Sequence, residues 1–345
     1  MKSAGLPNNR SLPVAAYNPD RRDDFTQVHG LYNDSDLIAC QSNIINSLSA
    51  ELKRTKGIHT VIFSSEHIHS RLRTDDEINR LKNILNELGF KKISIIVYLR
   101  HPAEIANSLY STAVIAGSTD TIPPRPKNEF WHDICDHRNT LVRFRNIFGT
   151  EAMIPRIYSK EELVNGSIID DFAKTIGLPL LKSEYEIPKP QNESLTVLGL
   201  EILRRINQEI PVFLDNQKPN LLRRNIVSYI LKYLNDGEKY GMPADLRRQY
   251  EDEFRESNEW VRSEYFPDRE VLFENNQIPR VAVSSFQFSE LDQIAQMVSA
   301  IWIDKTSGLL GICKSRAYQI VYAIRRLKMK VIQISENLTS RWRRI

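Results

Sequence analysis

Three cysteines in 345 residues, Cys40, Cys135 and Cys313, are odd in number and widely scattered. With no C-x-x-C and no zinc spacing among them, a disulfide framework and a cysteine-based metal module are excluded, and free thiols in a reducing, cytoplasmic compartment are expected. Long apolar runs are missing too. The longest, around 294–303, ends at Asp304, well short of the roughly 18 residues that would mark a membrane span. The opening MKSAGLPNNR lacks the apolar core of a secretory signal. No internal repeat and no low-complexity tract interrupts the chain.

What is present is ordinary for a soluble globular protein, with 41% apolar and 26% charged residues. The charge is unevenly spread. Residues 311–345 hold nine basic residues against one acid, Glu336, so that segment carries +8 of a total of +4 and leaves the first 310 residues at −4. Within the tail, Ala317, Ile320, Val321, Ile324, Leu327 and Val331 fall on one helical face, with Arg325, Arg326, Lys328 and Lys330 largely off it. That is the pattern of a basic amphipathic helix, suited to an anionic membrane surface, to a partner, or to packing on the body with a solvated basic face. It has neither the interleaved aromatics nor a motif for nucleic acid, and no nucleic-acid partner is expected.

Along the chain, residues 1–30 show no clear period. Asp34, Ser35 or Asp36 suits a helix start, with Leu37, Ile38, Ile44, Ile45 and Leu48 on one side as far as Lys53. HTVIFSS at 59–65 reads as a buried strand. Thr74 and Glu77 form a capping box for a helix with Leu81, Ile84, Leu85 and Leu88, stopped at Gly89. Residues 93–99 read as the next strand, and Pro102 suits the first turn of the helix after it. A helix over 129–148 and a strand over 152–158 follow. Helices then fill much of 160–178, 195–210, 220–236 and 243–265. The alternation predicts an α/β fold, a parallel sheet with crossover helices and a helical C-terminal half. The boundaries implied are an irregular segment at 1–30, an α/β domain at 31–278 and a basic helical extension at 279–345.

Two stretches carry chemistry. Arg100 lies at the carboxyl end of the second predicted strand, just before a helix start, and Ser108 follows on that helix, four residues after Glu104. Ligands of open α/β sheets bind at such strand ends, helix N-termini favour anions, and a guanidinium fork matches phosphate or sulfate oxygens. The plainer reading pairs Arg100 with a surface carboxylate. At the end of the first predicted strand, Glu66 and His67 stand side by side, and either is a proton acceptor for an attacking hydroxyl. The plainer reading makes Glu66 a helix cap and leaves His67 in solvent.

Taken in order, SSEHI (64–68), IIVYLRHPAEIANSLY (95–110), IPRIYSKEELVNGSIIDDFAKTIGL (154–178), QNESLTVLGLEILRRIN (191–207) and SNEWVRSEYFPDREVLF (257–273) resemble the sulfotransferases that use the activated sulfate donor PAPS, bacterial carbohydrate members in particular. The resemblance covers about 33–273. It implies a P-loop-containing nucleotide-hydrolase type of fold and transfer of a sulfuryl group from PAPS to a hydroxyl of a carbohydrate or glycolipid, with no metal. It makes Arg100 and Ser108 ligands of the donor's 3′-phosphate, Tyr158 a neighbour of its adenine, and Glu66 the general base with His67 as the competing choice. Ser159 and Lys160 stand where the family has an acidic pair. The family also opens with a strand and a Lys-x-Gly-Thr-Thr loop that grips the 5′-phosphosulfate. This sequence has no such loop, Lys2-Ser3-Ala4-Gly5 being a faint echo, which implies a truncated start or a domain that has lost it. The alternative is therefore a non-catalytic relic of the fold that binds a nucleotide or a partner.

Other constellations are weaker. Asp34-Ser35-Asp36 is a D-x-D, a metal and sugar-nucleotide holder in a glycosyltransferase and a helix cap otherwise. His67 with His69, or His132, Asp136 and His137, have no further cluster at ligand spacing to make a metal site.

Overall fold

Many helix starts in this chain are set by short polar side chains that bond back to the first free backbone amides. The structure, a computed structural model, describes residues 10–178, 194–214, 220–223, 225–234, 236–274 and 288–309. Two five-residue helices come first, α1 (Ser11–Ala15) and α2 (Asp24–Val28), the latter capped by Asp23. The long α3 (Asp34–Arg54) is capped by Asn33, which accepts from the Asp36 amide, so the cap lies one residue before the D-x-D. Ser65 caps α4 (Glu66–Arg71) and Thr74 caps α5 (Asp75–Glu87). The strand β1 (Ile95–Leu99) leads through His101 into α6 (Pro102–Ile115). Then come α7 (Glu129–Cys135), α8 (His137–Phe148), β2 (Met153–Ile157) and α9 (Ile168–Thr175). The remainder is helical: α10 (Val197–Glu209), α11 (Ile226–Tyr233), α12 (Ala244–Glu253), α13 (Arg255–Tyr265) and α14 (Phe288–Leu309).

Among the described residues the only sheet is β1–β2, parallel, in register from Ile95↔Met153 to Leu99↔Ile157. Parallel strands need a crossover connection, and α6, α7 and α8 supply it. The fold is thus mostly helical around a small parallel sheet, consistent with the α/β class.

Several sequence expectations need correction. Residues 59–65 form no strand: among the described residues they join no ladder, and they expose Ile62 by 46%. Only Val61, Phe63 and Ser65 turn partly inward, Phe63 meeting Phe90 edge-on at 5.9 Å. β-branched composition suits a pleated surface, but a strand also needs a paired neighbour for its amides, and no described strand lies in a ladder with this segment. The helix expected over 129–148 breaks at Asp136, whose side chain accepts from the Asn139 amide and from Ser257 Oγ. Likewise 243–265 divides at Phe254, and 220–236 reduces to a short 3₁₀ turn and α11. Within residues 1–30, α1 and α2 are too short to show a period, yet Leu12, Val14, Ala15, Ala16 and Tyr17 are all buried.

The chain divides into two compact units. The first comprises 1–195, 200–224 and 239–281, and the second 196–199, 225–238 and 282–345. In the first, Tyr17, Leu37, Leu72, Ile78, Leu81, Leu99, Leu141 and Val261 share one core. There α1 packs on α3, while α5, α13 and β2 all pack on α8. Two buried carboxylates pin this unit. Glu77, expected to close the capping box, instead accepts from Arg21 Nε at 2.5 Å and Nη2 at 2.7 Å, while Thr74 Oγ1 still accepts from its amide. Asp171 on α9 accepts from Tyr98 Oη at 2.7 Å and Arg156 Nε at 3.1 Å, a cross-strand pair of the sheet. Burial raises both pKa values, but the Arg21 and Arg156 hydrogen bonds and charges outweigh it and hold both below the carboxylate range.

In the second unit α11 packs on α14. The start of α10 fits closely: a Cβ on Gly199 would lie 3.0 Å from the Leu234 carbonyl, so glycine lets the two segments approach. The basic stripe of 314–331 lies outside the described residues.

Candidate functional site

Because β1 ends at Leu99 and α6 starts at Pro102, Arg100 sits where a parallel strand hands over to a helix N-terminus. His137 on α8 fixes this corner by donating from Nε2 to the Arg100 carbonyl at 2.7 Å. A carbonyl only accepts, so the His137 proton is on Nε2. His101 caps α6 with Nδ1, accepting from the Ala103 amide at 3.2 Å, which leaves its own proton on Nε2, 3.8 Å from Glu251. The next strand end comes alongside, the Tyr158 amide donating to the Leu99 carbonyl at 2.7 Å.

The Arg100 guanidinium lies 5.8 Å from the centre of the Tyr158 ring, a cation–π contact. Its Nε donates to Glu104 Oε2 at 3.0 Å, the carboxylate pairing that the plainer sequence reading anticipated. The two terminal NH₂ groups have no hydrogen-bond partner among the described residues, and the side chain is 38% exposed. Ser108, one turn beyond Glu104 on the same face of α6, is half-buried; its carbonyl accepts from Thr112 Oγ1, and its hydroxyl has no hydrogen-bond partner among the described residues. The structure therefore brings Arg100 and Tyr158 into contact and sets Ser108 on the face that Arg100 and Glu104 share.

Beside them is a cavity of about 50 Å³ lined by His101, Glu104, Tyr158, Glu162, Arg269 and Phe273, with Glu161 and Glu274 at its wall. Arg269 is taken up by Glu162 at 2.6 Å. Charge at this wall is mainly negative, so Arg100 offers an anion its free fork only where Glu104 yields. A larger open groove of about 640 Å³ between α2 and α3, lined by Phe25, Leu31, Cys40 and Ile44 among others, includes Asp36 of the D-x-D but none of Glu66, His67, Arg100, Ser108 and Tyr158.

Glu66 and His67 open α4. Ser65, not Glu66, is the cap. Glu66 is 70% exposed on its side chain, and His67 Nε2 lies 3.6 Å from it. His67 is itself mostly buried, so it does not face solvent. Burial, then the Arg10 charge, depress its pKa, with Arg71 adding to the effect, and the imidazole is neutral near pH 7. No direct contact joins Glu66 or His67 to Arg100. Both groups are tied instead to α8: His69 on α4 meets Thr140 at 3.2 Å, three residues beyond His137. Burial also depresses His69 and His101 to about 4, and it lowers His137 below its ordinary value.

The weaker constellations dissolve into structural roles. Asp34 pairs with Arg22 at 2.7 Å and Asp36 accepts from Asn33 Nδ2 at 2.8 Å, both in the first turn of α3. His132 faces Glu253 at 3.6 Å and the Phe254 ring at 5.1 Å. Among the described residues no group of three or more possible metal ligands comes together, and no helix is long and apolar enough to cross a membrane. Arg10 and Arg71, close to His67, were not singled out in the sequence. They lie 61 residues apart in the numbering, and nothing local to either signals the other.

Comparison with known proteins gives one relative to weigh. An uncharacterized protein of Archaeoglobus fulgidus is 28% identical over 220 residues, covering 60% of this chain and 58% of that protein. The chain thus spans under two thirds of that relative's length. No family model matches the chain, and no solved structure matches it.

Proposed function

We propose that the chain is a sulfotransferase-like protein, with the P-loop-containing nucleotide-hydrolase type of fold, that moves a sulfuryl group from PAPS to a hydroxyl of a carbohydrate or glycolipid. The observation that carries this reading is the corner at the end of β1. There Arg100 has two terminal NH₂ groups without a partner among the described residues and stacks on Tyr158 across the strand pair. Ser108, on the same face of the following helix, keeps its hydroxyl free. A phosphate dianion outcompetes a single carboxylate for such a fork because it brings more oxygens and more charge. In this reading Arg100 and Ser108 hold the 3′-phosphate and Tyr158 flanks the adenine.

For the transfer itself, the acceptor oxygen bonds to sulfur as the bond from sulfur to the bridging phosphate oxygen breaks, and PAP departs with that electron pair. The acceptor proton passes to Glu66, whose exposed carboxylate is the reachable base, or to His67 in its neutral form. A drug-sized ligand needs several hundred Å³, so the roughly 50 Å³ beside Tyr158 must widen to take the nucleoside. That small cavity and the Glu104–Arg100 pair favour a second reading, a non-catalytic fold relic that binds a nucleotide or a partner without turnover.

Calorimetric titration with PAP is the test. Arg100→Ala removes charge-assisted hydrogen bonds of about 1.5–3 kcal/mol and is expected to weaken binding accordingly, with Ser108→Ala weakening it less. Binding of PAP that is indifferent to Arg100→Ala sinks the donor site. Binding without sulfuryl transfer to any carbohydrate acceptor favours the relic.

A further inference from the structure

Between α1, α2 and α4, two arginines close on one carboxylate. Arg10 donates through both terminal nitrogens to Asp24, at 2.8 and 2.7 Å, and Arg71 approaches the same Asp24 at 3.2 Å. Both guanidiniums are held by aromatic rings, Arg10 at 5.3 Å from the centre of Phe25 and Arg71 at 6.0 Å from that of Phe130. His67 belongs to the same cluster: it senses the charges of Arg10, Arg71 and Asp24.

Donors outnumber acceptors here. Arg10 Nε, Arg71 Nε and His67 Nδ1 are all buried without a partner among the described residues. A carboxylate has two oxygens, and a buried N–H left unpaired costs about 1–3 kcal/mol. The two aspartates nearby also differ. Asp23 also accepts from Arg10, at 3.3 Å, but it is anchored, with 7% of its side chain exposed, a hydrogen bond from Tyr17 Oη at 2.9 Å and the cap of α2 to make. Asp24 is 48% exposed and its carboxylate is held by the two arginines. The group that fills the site is therefore the one most easily moved.

We infer that Arg10 and Arg71, with His67 beside them, form a binding site for a tetrahedral oxyanion, sulfate or phosphate, in which Asp24 is the resident occupant that the ligand displaces. Three or four anion oxygens satisfy donors that two carboxylate oxygens cannot, and the stacked guanidiniums need little reordering to receive them. The inference stands on its own geometry and does not rest on the reading of Arg100.

Titration with sodium sulfate and sodium phosphate at millimolar concentration, against sodium chloride at matched ionic strength, tests it by calorimetry and by thermal shift. Wild type is expected to rise in Tm with either oxyanion over chloride. Asp24→Asn, which empties the site of its competing charge, is expected to bind about tenfold more tightly. Adding Arg71→Gln to that variant is expected to abolish the gain. A parallel titration with 4-nitrophenyl sulfate separates sources. Tighter binding than inorganic sulfate assigns the site to an esterified anion, and weaker binding assigns it to the free ion. If Asp24→Asn has native circular dichroism yet binds sulfate no better than wild type, the inference is overturned. Should that variant not fold, equal Tm of wild type in the oxyanions and in chloride overturns it just as well.

Discussion

Two segments of this chain share one design, a β-branched run that ends in charged residues and leads into a capped helix. Only one of them becomes a strand. Residues 95–99 pair with β2 along five positions, and their exit corner is fixed by His137 and His101. Residues 59–65 join no ladder among the described residues, and their exit is fixed through α4 instead, by His69 on Thr140 and by Arg71 on Asp24. Composition prepares a segment for a sheet, but an adjacent edge decides whether it enters one. The chemistry follows the same division. The laddered exit carries Arg100 against Glu104 and Tyr158. The unladdered exit carries an exposed Glu66, a neutral His67 and the Arg10–Arg71 pair.

The sharpest way to break this contrast is by truncation on each side. Leu99 is 1% exposed, and Leu99→Ala is expected to cost 2–5 kcal/mol in urea denaturation, roughly the range for buried leucines. Ile62, at 46% exposure, is expected to cost no more than about 1 kcal/mol when cut to alanine, as a surface position. Hydrogen exchange checks the same point, with amides 96–98 protected and 60–64 not. Equal losses, or equal protection, would mean that 59–65 is structured as firmly as β1.

Acid supplies the next test. His69 and His101 are held near 4 when folded and titrate near 6.5 when unfolded. Between those values the unfolded chain binds more protons, so stability falls as pH drops from about 6.5 toward 4, by about 3 kcal/mol for each group at most. Glu77 and Asp171 extend the loss at lower pH, because their folded values lie below the carboxylate range. His101→Asn keeps an acceptor for the Ala103 amide and is expected to flatten the slope between pH 6.5 and 4. An unchanged slope would show that His101 is not kept neutral by the corner.

The smallest effect belongs to the ion pair. Arg100 is 38% exposed, so Glu104→Gln is expected to change stability by about 0.5 kcal/mol or less. The same substitution frees the Arg100 fork and is expected to strengthen PAP binding. Weaker PAP binding in Glu104→Gln would show that Glu104 supports the site and does not compete for it.

Much of the laddered half was legible in the sequence. The run IIVYL, Pro102 at the first turn of α6 and Gly149 after α8 all mark their elements through local chemistry. The Arg100–Glu104 pairing was also open to view, since four residues along a helix are neighbours. What stayed hidden depends on distant partners. That 59–65 joins no ladder among the described residues depends on what lies beside it, and no feature of HTVIFSS encodes that. The break at Asp136 follows from its bond to Ser257, 121 residues away. Arg10 and Arg71 meet only through Asp24, and each alone is an unremarkable surface arginine in the text of the sequence.

The account turns on Arg100 and Ser108 reading a 3′-phosphate. Titration of the wild-type protein with PAP and, in parallel, with 5′-AMP tests this most directly, because the two differ at the 3′ position by that phosphate alone. The prediction is that PAP binds about tenfold or more tightly than 5′-AMP, the preference expected of one charge-assisted contact, and that Arg100→Ala erases the difference. Equal affinity for the two nucleotides, or no binding of PAP, would contradict it.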